Sequence, residues 1–575
     1  MSLIAKTAGN RRVVIDQVTP SIDGGRNPFK RAIGDWIPFT AHAFADSHDL
    51  IQVELRIRKV DTKAWKVFPM SPTGNDEFEV TYRTDSIGLF EFEVAGVIDH
   101  YGSWQEGFQK KHKEGVPLDL ECRIGAELLE HAATRANKKH AAKLREWAAH
   151  LADSTADIEA RINLAHSRHV AGIARIYPQR DWETTSTRSL MLVERELAAF
   201  STWYEYFPRS CVYDGKTHGT FKDAAKQLPL IHKMGFNIVY FPPIHPVGRE
   251  FRKGKNNTLT PSSEDVGSPW AVGAKEGGHK SILPALGTLE DFQRLLDEAE
   301  MRGMEVALDI AFQCAPDHPW VKKHPKWFRW RPDGSVQYAE NPPKKYQDIL
   351  PINFESDDWE NLWDELKSVF EYWIEQGVKV FRVDNPHTKS MEFWRWCILN
   401  IKAKHPEVIF LAEAFTRPKR KYFLAKTGFT HGYTYFTWRN TAAELQQYVE
   451  ELTQGESKDY FWPNFWPNTP DILHADLQTG NRATFIGRYV LAATLSSNVG
   501  LYGPAYELLD HEPYPGKEEN NHSEKYQLKA WDLDKPGNIR AEIARVNAIR
   551  NEHEAFQRTF NVHFIPCSNS QIIAY

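Results

Sequence analysis

The chain is poor in several things that would point elsewhere. It has five cysteines in 575 residues, Cys122, Cys211, Cys314, Cys397 and Cys567. The count is odd, the spacing is wide and there is no CxxC pair, which speaks against a disulfide framework, a zinc ribbon or a redox motif. Free thiols in a reducing cytosol are the reading that fits, and the expected location is cytoplasmic. No run of about 18 apolar residues occurs, so no membrane-spanning helix is expected. The opening Met1-Ser-Leu-Ile-Ala-Lys6 runs into charged residues and does not read as a signal peptide. Basic excess is also missing. Lys and Arg total 71 against 76 Asp and Glu, a net charge of −5, which carries no nucleic-acid footprint. No His/Asp cluster has ligand spacing, so neither a metal nor a cofactor is expected.

What the chain does have is aromatic surface. Phe, Trp and Tyr make up 13% of it, with 19 Trp. Trp and Tyr offer flat apolar faces with a polar edge, which suit pyranose rings as well as large cores.

Residues 11 to about 112 read as β. Ile51-Gln-Val-Glu-Leu-Arg-Ile-Arg58 and Phe90-Glu-Phe-Glu-Val94 alternate strictly, and Gly24-Gly-Arg-Asn-Pro28 and Pro72-Thr-Gly-Asn75 mark turns. A β-sandwich is expected over 1–112. From 118 to about 168 the period changes. Leu144, Trp147, Ala148 and Leu151 stand at i, i+3, i+4, i+7, with Ile158 and Ile162 continuing the stripe, which predicts two helices in a hairpin and a helical hairpin with linker over 113–190. Such a hairpin either packs on the rest of the chain or meets a partner subunit.

From about 195 to 510 strands and helices alternate. Eight candidate strands are Ala199–Tyr204, Asn237–Phe241, Glu305–Ile310, Val378–Asp384, Val408–Glu413, Tyr433–Phe436, Phe465–Asp471 and Asn498–Tyr502. Thr288-Leu-Glu-Asp291 reads as a capping box, with Phe292, Leu295, Leu296 and Ala299 on one face and Gly303 as the stop. The fold class is therefore α/β: a (β/α)8 catalytic barrel over 191–550, with a long glycine-bearing loop at 245–286 expected at the substrate site. A helix is expected over about 538–550. The last residues, Gln571-Ile-Ile-Ala-Tyr575, read as an opening strand, and 551–575 as the start of a truncated C-terminal β domain.

The chemistry concentrates at two strand ends. Phe381-Arg-Val-Asp384 is followed 29 residues later by Glu413 in Phe410-Leu-Ala-Glu-Ala414. A strand–helix–strand unit puts both acids on the C-terminal rim of neighbouring parallel strands, where barrel enzymes do their chemistry. Arg382, two residues before Asp384, points the same way and holds it ionised, as a nucleophile requires. Glu413 sits among Leu411, Ala412, Ala414 and Phe415, and apolar surroundings suit a general acid. Asp471 ends the seventh candidate strand, and Asp309, ending Val306-Ala-Leu-Asp309, reads as an orienting residue. One acid at a strand end is most often a cap or a loop ion pair; several on one barrel favour glycosidic chemistry.

At these residues the chain resembles the α-amylase clan of retaining glycosidases, with Asp384 matching its nucleophile, Glu413 its acid/base and Asp471 its transition-state-orienting aspartate. Two departures count against an ordinary amylase: Gln313 and Cys314 stand where the clan usually has Asn-His, and Pro470 where it has His before the third acid. Glu340-Asn-Pro-Pro-Lys-Lys-Tyr-Gln-Asp348, Phe381-Arg-Val-Asp-Asn-Pro-His-Thr-Lys389 and Gly267-Ser-Pro-Trp-Ala-Val-Gly273 with Glu276-Gly-Gly-His279 closely resemble the α-1,4-glucan:maltose-1-phosphate maltosyltransferase family. The resemblance implies a donor, α-maltose 1-phosphate, an acceptor, an α-1,4-glucan, a reaction by double displacement with carboxyls about 5–5.5 Å apart, and a homodimer. By match to the family, Lys253, Gln313, Lys344, Tyr346 and Asn385 face the phosphate, with Lys345 left open beside Lys344; Lys525 and Tyr526 match residues that contact the donor maltose. The competing readings are a hydrolase or transglycosidase of the same clan, a glucan-binding scaffold without catalysis, and an aldolase-type barrel. The acids are present, which disfavours the scaffold, and no candidate strand ends in a lysine for a Schiff base.

Overall fold

The computed structural model describes residues 10–341 and 344–575; of Asn341 and Lys344 it describes the backbone only. The chain divides into two compact units. One comprises residues 1–29, 34–85 and 90–191; the other comprises 30–33, 86–89 and 192–575.

The first unit carries a four-stranded antiparallel sheet in which Trp36–Ala45 lies between Val13–Thr19 and Glu77–Arg83. Along Trp36–Ala45 the pleat buries Ile37, Phe39, Ala41 and Ala43, the apolar half of the alternation. The alternating segment Ile51–Lys59 pairs antiparallel with Gly88–Ile98, with Leu55 opposite Val94 and Ile57 opposite Phe92. Phe29, Phe39 and Phe92 meet edge to face.

Helices then follow, and there are more of them than the two expected. His100–Lys113, Asp119–Arg135, Lys138–Ala152, Ile158–Ala165 and Arg168–Arg175 share one core built on Trp104, Phe108, Cys122, Leu129, Leu144 and Leu151. Residues 100–113 are helical, not β: Tyr101, Trp104 and Phe108 follow the helical period, and the Asp99 carboxylate accepts from the Gly102 amide as N-cap. The stripe through Leu151 and Ile162 is broken at 153–157. There the Asp153 carboxylate accepts from the Thr155 amide, and Asp157 caps the next helix. Gly125 is required where it stands, since a Cβ there would lie 2.2 Å from the Trp104 ring.

The second unit holds a closed barrel of eight parallel strands. They are β1 Ser201–Glu205, β2 Ile238–Phe241, β3 Glu305–Ile310, β4 Val380–Val383, β5 Ile409–Ala412, β6 His431–Tyr433, β7 Trp462–Phe465 and β8 Asn498–Tyr502. Closure is made by β1 against β8, with Glu205 in register with Tyr502 on one side and Tyr240 on the other. Trp203, Tyr240, Val380, Leu411, Tyr433 and Trp466 share one buried cluster. Thr288 and Asp291 form the expected capping box at the start of Leu289–Glu300, whose Phe292, Leu295 and Ala299 are buried.

Most of the expected strands shift at their ends, the sixth and seventh furthest. β6 ends at Tyr433. β7 is Trp462–Phe465, so Asp471 does not end a strand; Pro467 follows it and a tight bridge between Thr469 and Ile472 turns the chain. Residues 571–575 form no strand; the Ile565 amide donates to the Ala574 carbonyl and the Ile572 amide to the Asn569 carbonyl. In the long connection between β2 and β3, residues 242–288 are coil with two short 3-10 turns, Lys255–Asn257 and Pro284–Leu286, and the helix Leu289–Glu300 follows.

At the N-terminal ends of the strands lies a buried ion pair. The Lys402 ammonium donates to both oxygens of Glu194, at 2.5 and 2.6 Å, and to the Thr430 hydroxyl at 2.9 Å. Lys30, also buried, donates to the Phe429 and Thr430 carbonyls. Every ammonium and carboxylate of this cluster has a partner.

Candidate active site

Asp384 and Glu413 follow β4 and β5 by one residue each, on the rim where parallel strands deliver their C-terminal ends. Arg382, pointing into the barrel from β4, joins three acids. One terminal nitrogen donates to Asp384 Oδ1 and to Asp309 Oδ2, both at 2.9 Å, and the other lies 3.5 Å from Glu413 Oε1. Asn385 ties the two leading acids a second time. Its backbone amide donates to Glu413 Oε2 at 3.0 Å, and its side-chain amide to Asp384 Oδ2 at 3.3 Å. It does so from a left-handed conformation, φ 41° and ψ 51°, which asparagine tolerates better than most residues.

The same guanidinium acts differently on its neighbours. Burial would raise the Asp384 pKa, but Arg382, its hydrogen bond and the charges of Lys389 and Lys525 hold it below the usual range. Glu413 goes the other way. Burial and the charge of Asp384 push it up to about 7 against the pull of Arg382 and the Asn385 amide. Asp309 is fully buried and also raised, by burial first and Asp384 next. It accepts from the Tyr240 hydroxyl at 2.6 Å, the Trp270 indole at 3.1 Å and Arg382, all on Oδ2. An ionised carboxylate beside a carboxyl that holds its proton near neutrality is the division of labour a retaining double displacement needs.

The third acid stands apart. Asp471, on the turn after β7, is half exposed, and both its oxygens are taken by the Lys525 ammonium, at 2.7 and 2.9 Å. Lys525 lies 5.3 Å from the centre of the Trp270 ring and 6.0 Å from that of Tyr526. Trp270 thus links the two groups, since its indole holds Asp309 and its carbonyl accepts from the Gln313 side chain at 3.2 Å.

Of the other residues singled out from sequence, Lys253 is buried and donates to the Gln347 side chain at 2.7 Å, with Asp348 near it. Lys344–Tyr346 forms a short strand paired with Ala339–Asn341, at the head of the segment carrying Gln347 and Asp348. The Lys344 side chain, and with it the choice between Lys344 and Lys345, lies outside the described residues. Sequence reasoning missed Glu205, Tyr240, Trp270 and Lys389. Glu205 ends β1, points the same way as Trp203 and is buried, with its pKa raised by burial near Arg382, Asp309, Asp471 and Glu413. Nothing in a local window separates Glu205 and Tyr240 from core residues; Trp270 and Lys389 lay inside the motifs 267–273 and 381–389 without being singled out.

One group has the residue types of a metal site. His279, Cys314 and His318 are buried with their ligand atoms within 4.8 Å of one another, brought together from distant segments. Hydrogen bonds engage all four ring nitrogens. His318 Nδ1 accepts from the Trp320 amide, so His318 Nε2–H donates to His279 Nδ1, and His279 Nε2–H donates to the Ala311 carbonyl. The pair fits a structural relay and leaves no ring lone pair for an ion. No helix among the described residues is long and apolar enough to cross a membrane.

Comparison with known proteins bears on this geometry. Residues 11–195 match the family profile described as α-1,4-glucan:maltose-1-phosphate maltosyltransferase, domain N/S, and residues 176–365 match the α-amylase catalytic domain. A protein of Chlorobaculum tepidum named α-1,4-glucan:maltose-1-phosphate maltosyltransferase is 54% identical over 98% of this chain and 84% of its own length. One of Methylacidiphilum infernorum with the same name is 50% identical over 99% and 85%. Among solved structures, the ligand-free cyclic α-maltosyl-(1→6)-maltose hydrolase of Arthrobacter globiformis shares the fold, with a TM-score of 0.50 at 16% identity over 66% of this chain and 88% of its own.

Proposed function

The chain belongs to the α-1,4-glucan:maltose-1-phosphate maltosyltransferase family, and from that premise we propose how its residues move a maltosyl unit from α-maltose 1-phosphate to an α-1,4-glucan. Asp384 attacks the anomeric carbon as the bond to the phosphate oxygen breaks. Glu413 gives its proton to the departing phosphate. The β-maltosyl ester on Asp384 is then attacked by the 4-hydroxyl at the non-reducing end of the acceptor. Glu413, now a carboxylate, takes the hydroxyl proton, and Asp384 is released ionised. Two inversions give net retention, and the glucan grows by two glucose units.

Arg382 keeps Asp384 ionised and compensates charge as it forms and disappears. Asp471 holds the reacting ring toward its oxocarbenium-like state, and Asp309 orients Arg382. Lys253, Gln313, Lys344, Tyr346 and Asn385 supply charge and donors where negative charge develops on phosphate. Lys525 and Tyr526 line the donor's second ring. The observation that carries this reading is the pair of carboxyls clamped by Arg382 and Asn385 with opposed pKa displacements. Phosphate release from α-maltose 1-phosphate, with and without maltohexaose, tests it: release that depends on acceptor, with products longer by two glucose units, is the expected result. Cleavage of maltohexaose alone would overturn it.

The same reading carries a cytoplasmic enzyme of glycogen-type glucan synthesis acting as a homodimer. Five free cysteines, four of them buried, support the reducing compartment; the dimer rests on family resemblance and is read by sedimentation.

A further inference from the structure

Lys421 is a buried cation that the mechanism above does not use. It stands in the first turn of the helix Pro418–Lys426, which follows β5, and is only 3% exposed. Among the described residues no carboxylate pairs with it. Four rings surround its ammonium instead: Phe461, Tyr422, Tyr435 and Tyr448, with centres 5.0, 5.1, 5.1 and 5.3 Å away. Its hydrogen bond goes to the Tyr448 hydroxyl at 3.0 Å. The rings come from the helix itself, the turn after β6, the helix Ala442–Gln454 and the approach to β7. The charges facing this cage are Glu451, which accepts from the Tyr422 hydroxyl, and Arg439, which lies 5.1 Å from the Tyr448 ring and 6.0 Å from that of Tyr435. Burial outweighs the pull of Glu451, and the Lys421 pKa is pushed down to about 8. Ring faces and one hydroxyl return only part of the hydration such a charge gives up. Methionine would fill the same space without giving up that hydration, so packing alone does not account for a lysine.

The cage leads to the acid/base. Tyr448 Oη takes a second bond, from the Tyr435 amide at 2.9 Å, and the Tyr435 hydroxyl donates to the Thr416 carbonyl at 2.7 Å. Thr416 lies in the bend by which the chain leaves Glu413. Between the two, the Phe415 ring meets Tyr433, Tyr435 and Trp438, with centres 5.7, 6.4 and 5.5 Å apart. The Glu413 backbone is thus held on the β4 side by its own amide, which donates to the Val383 carbonyl, and on the β6 side through Phe415 and Thr416.

We propose that Lys421 is a positioning residue for the acid/base: its ammonium and the Tyr435 amide gather the helix after β5, the turn after β6 and the helix Ala442–Gln454 on one tyrosine oxygen, and the Tyr435 hydroxyl passes that arrangement to the backbone just beyond Glu413. Glu413 has to meet first the oxygen of the departing phosphate and then the acceptor hydroxyl. A small displacement of the chain that carries it takes the proton out of line with both. Lys421 itself touches neither substrate nor reacting atoms. The inference rests on the reading of Glu413 as the general acid.

The test measures kcat/KM for two donors with maltohexaose present: α-maltose 1-phosphate, followed by phosphate release, and α-maltosyl fluoride, followed by fluoride release. The proteins are the whole chain, Lys421→Met, Tyr435→Phe and Glu413→Gln, each checked by a thermal melt. This parameter reports the step in which the leaving group departs, and fluoride needs less protonation than phosphate. Lys421→Met fills the cage without a charge. Tyr435→Phe removes one hydroxyl from a half-buried ring and leaves the cage in place. Both are expected to lose about tenfold or more on the phosphate donor and under about threefold on the fluoride. Glu413→Gln sets the full size of that split. Equal losses on the two donors, no loss at all, or a loss in Lys421→Met that Tyr435→Phe does not share would overturn the inference. A Glu413→Gln protein that treats the two donors alike would instead overturn the functional reading, and the inference with it.

Discussion

One barrel buries charge at both ends, and the two ends are built on opposite rules. At the N-terminal end, Lys402 and Glu194 exchange two short bonds, Thr430 satisfies the third donor, and Lys30 finds two carbonyls. At the C-terminal end a single guanidinium serves Asp309, Asp384 and Glu413. Burial penalises the charged form and the bonded guanidinium does not offset this for all three, so two of the three acids rise toward neutrality. Saturated hydrogen bonding holds a fold in one arrangement, even with two ammoniums to one carboxylate and Lys30 lowered by burial to about 7. Undersupplied charge leaves a proton that can move, which is the property a general acid requires.

The comparison can be broken at either end. At the rim, Asp384→Asn removes the nucleophile and is expected to lower kcat by roughly 10⁴-fold or more with the fold retained, read by phosphate release beside a thermal melt. Glu413→Gln keeps the shape but withholds the proton; a loss of about 10²–10⁴-fold on the phosphate donor is expected, with a smaller loss on α-maltosyl fluoride, whose leaving group needs less help. At the other end, Lys402→Met strands a buried carboxylate and is expected to cost about 3–5 kcal/mol in denaturant unfolding, with kcat little changed under native conditions. The smallest expected effect is the pH response. Since Glu413 must be protonated and titrates near 7, kcat/KM falls about tenfold per pH unit above that point, measured over roughly pH 6 to 9. Stability carries the same sign. The folded state holds a proton on Glu413 that the unfolded chain gives up near 4.5, so stability is lost as pH rises from there to about 7, and Glu413→Gln flattens that slope.

How much of this was legible differs residue by residue. Asp384 and Glu413 stood out because each closes a short apolar run, and a parallel strand buried on both faces writes itself as such a run. Asp471 was read as a strand end because the aromatic stretch before it looked continuous; Pro467 and the turn at Thr469–Ile472 moved it onto a loop. That shift matters, because on a loop it meets Lys525. Glu205, Tyr240 and Trp270 were not legible. Each owes its place to barrel closure or to a long loop folding over the rim, relations between residues tens to hundreds of positions apart. One of the extra helices of the first unit has a local reason, an aspartate turn at 153–157 that interrupts one apolar stripe.

Asn385 has a consequence of scale. Its main chain grips one reacting carboxyl and its side chain the other, so a single amino acid bridges them. Thermal breathing of β4 against β5 changes strand spacing, yet a length set by bonded geometry hardly stretches. The residue works as a gauge block, and its left-handed backbone is the condition for both jaws facing the same way. Glycine would keep the twist and lose one jaw; alanine would lose the jaw and strain the twist as well.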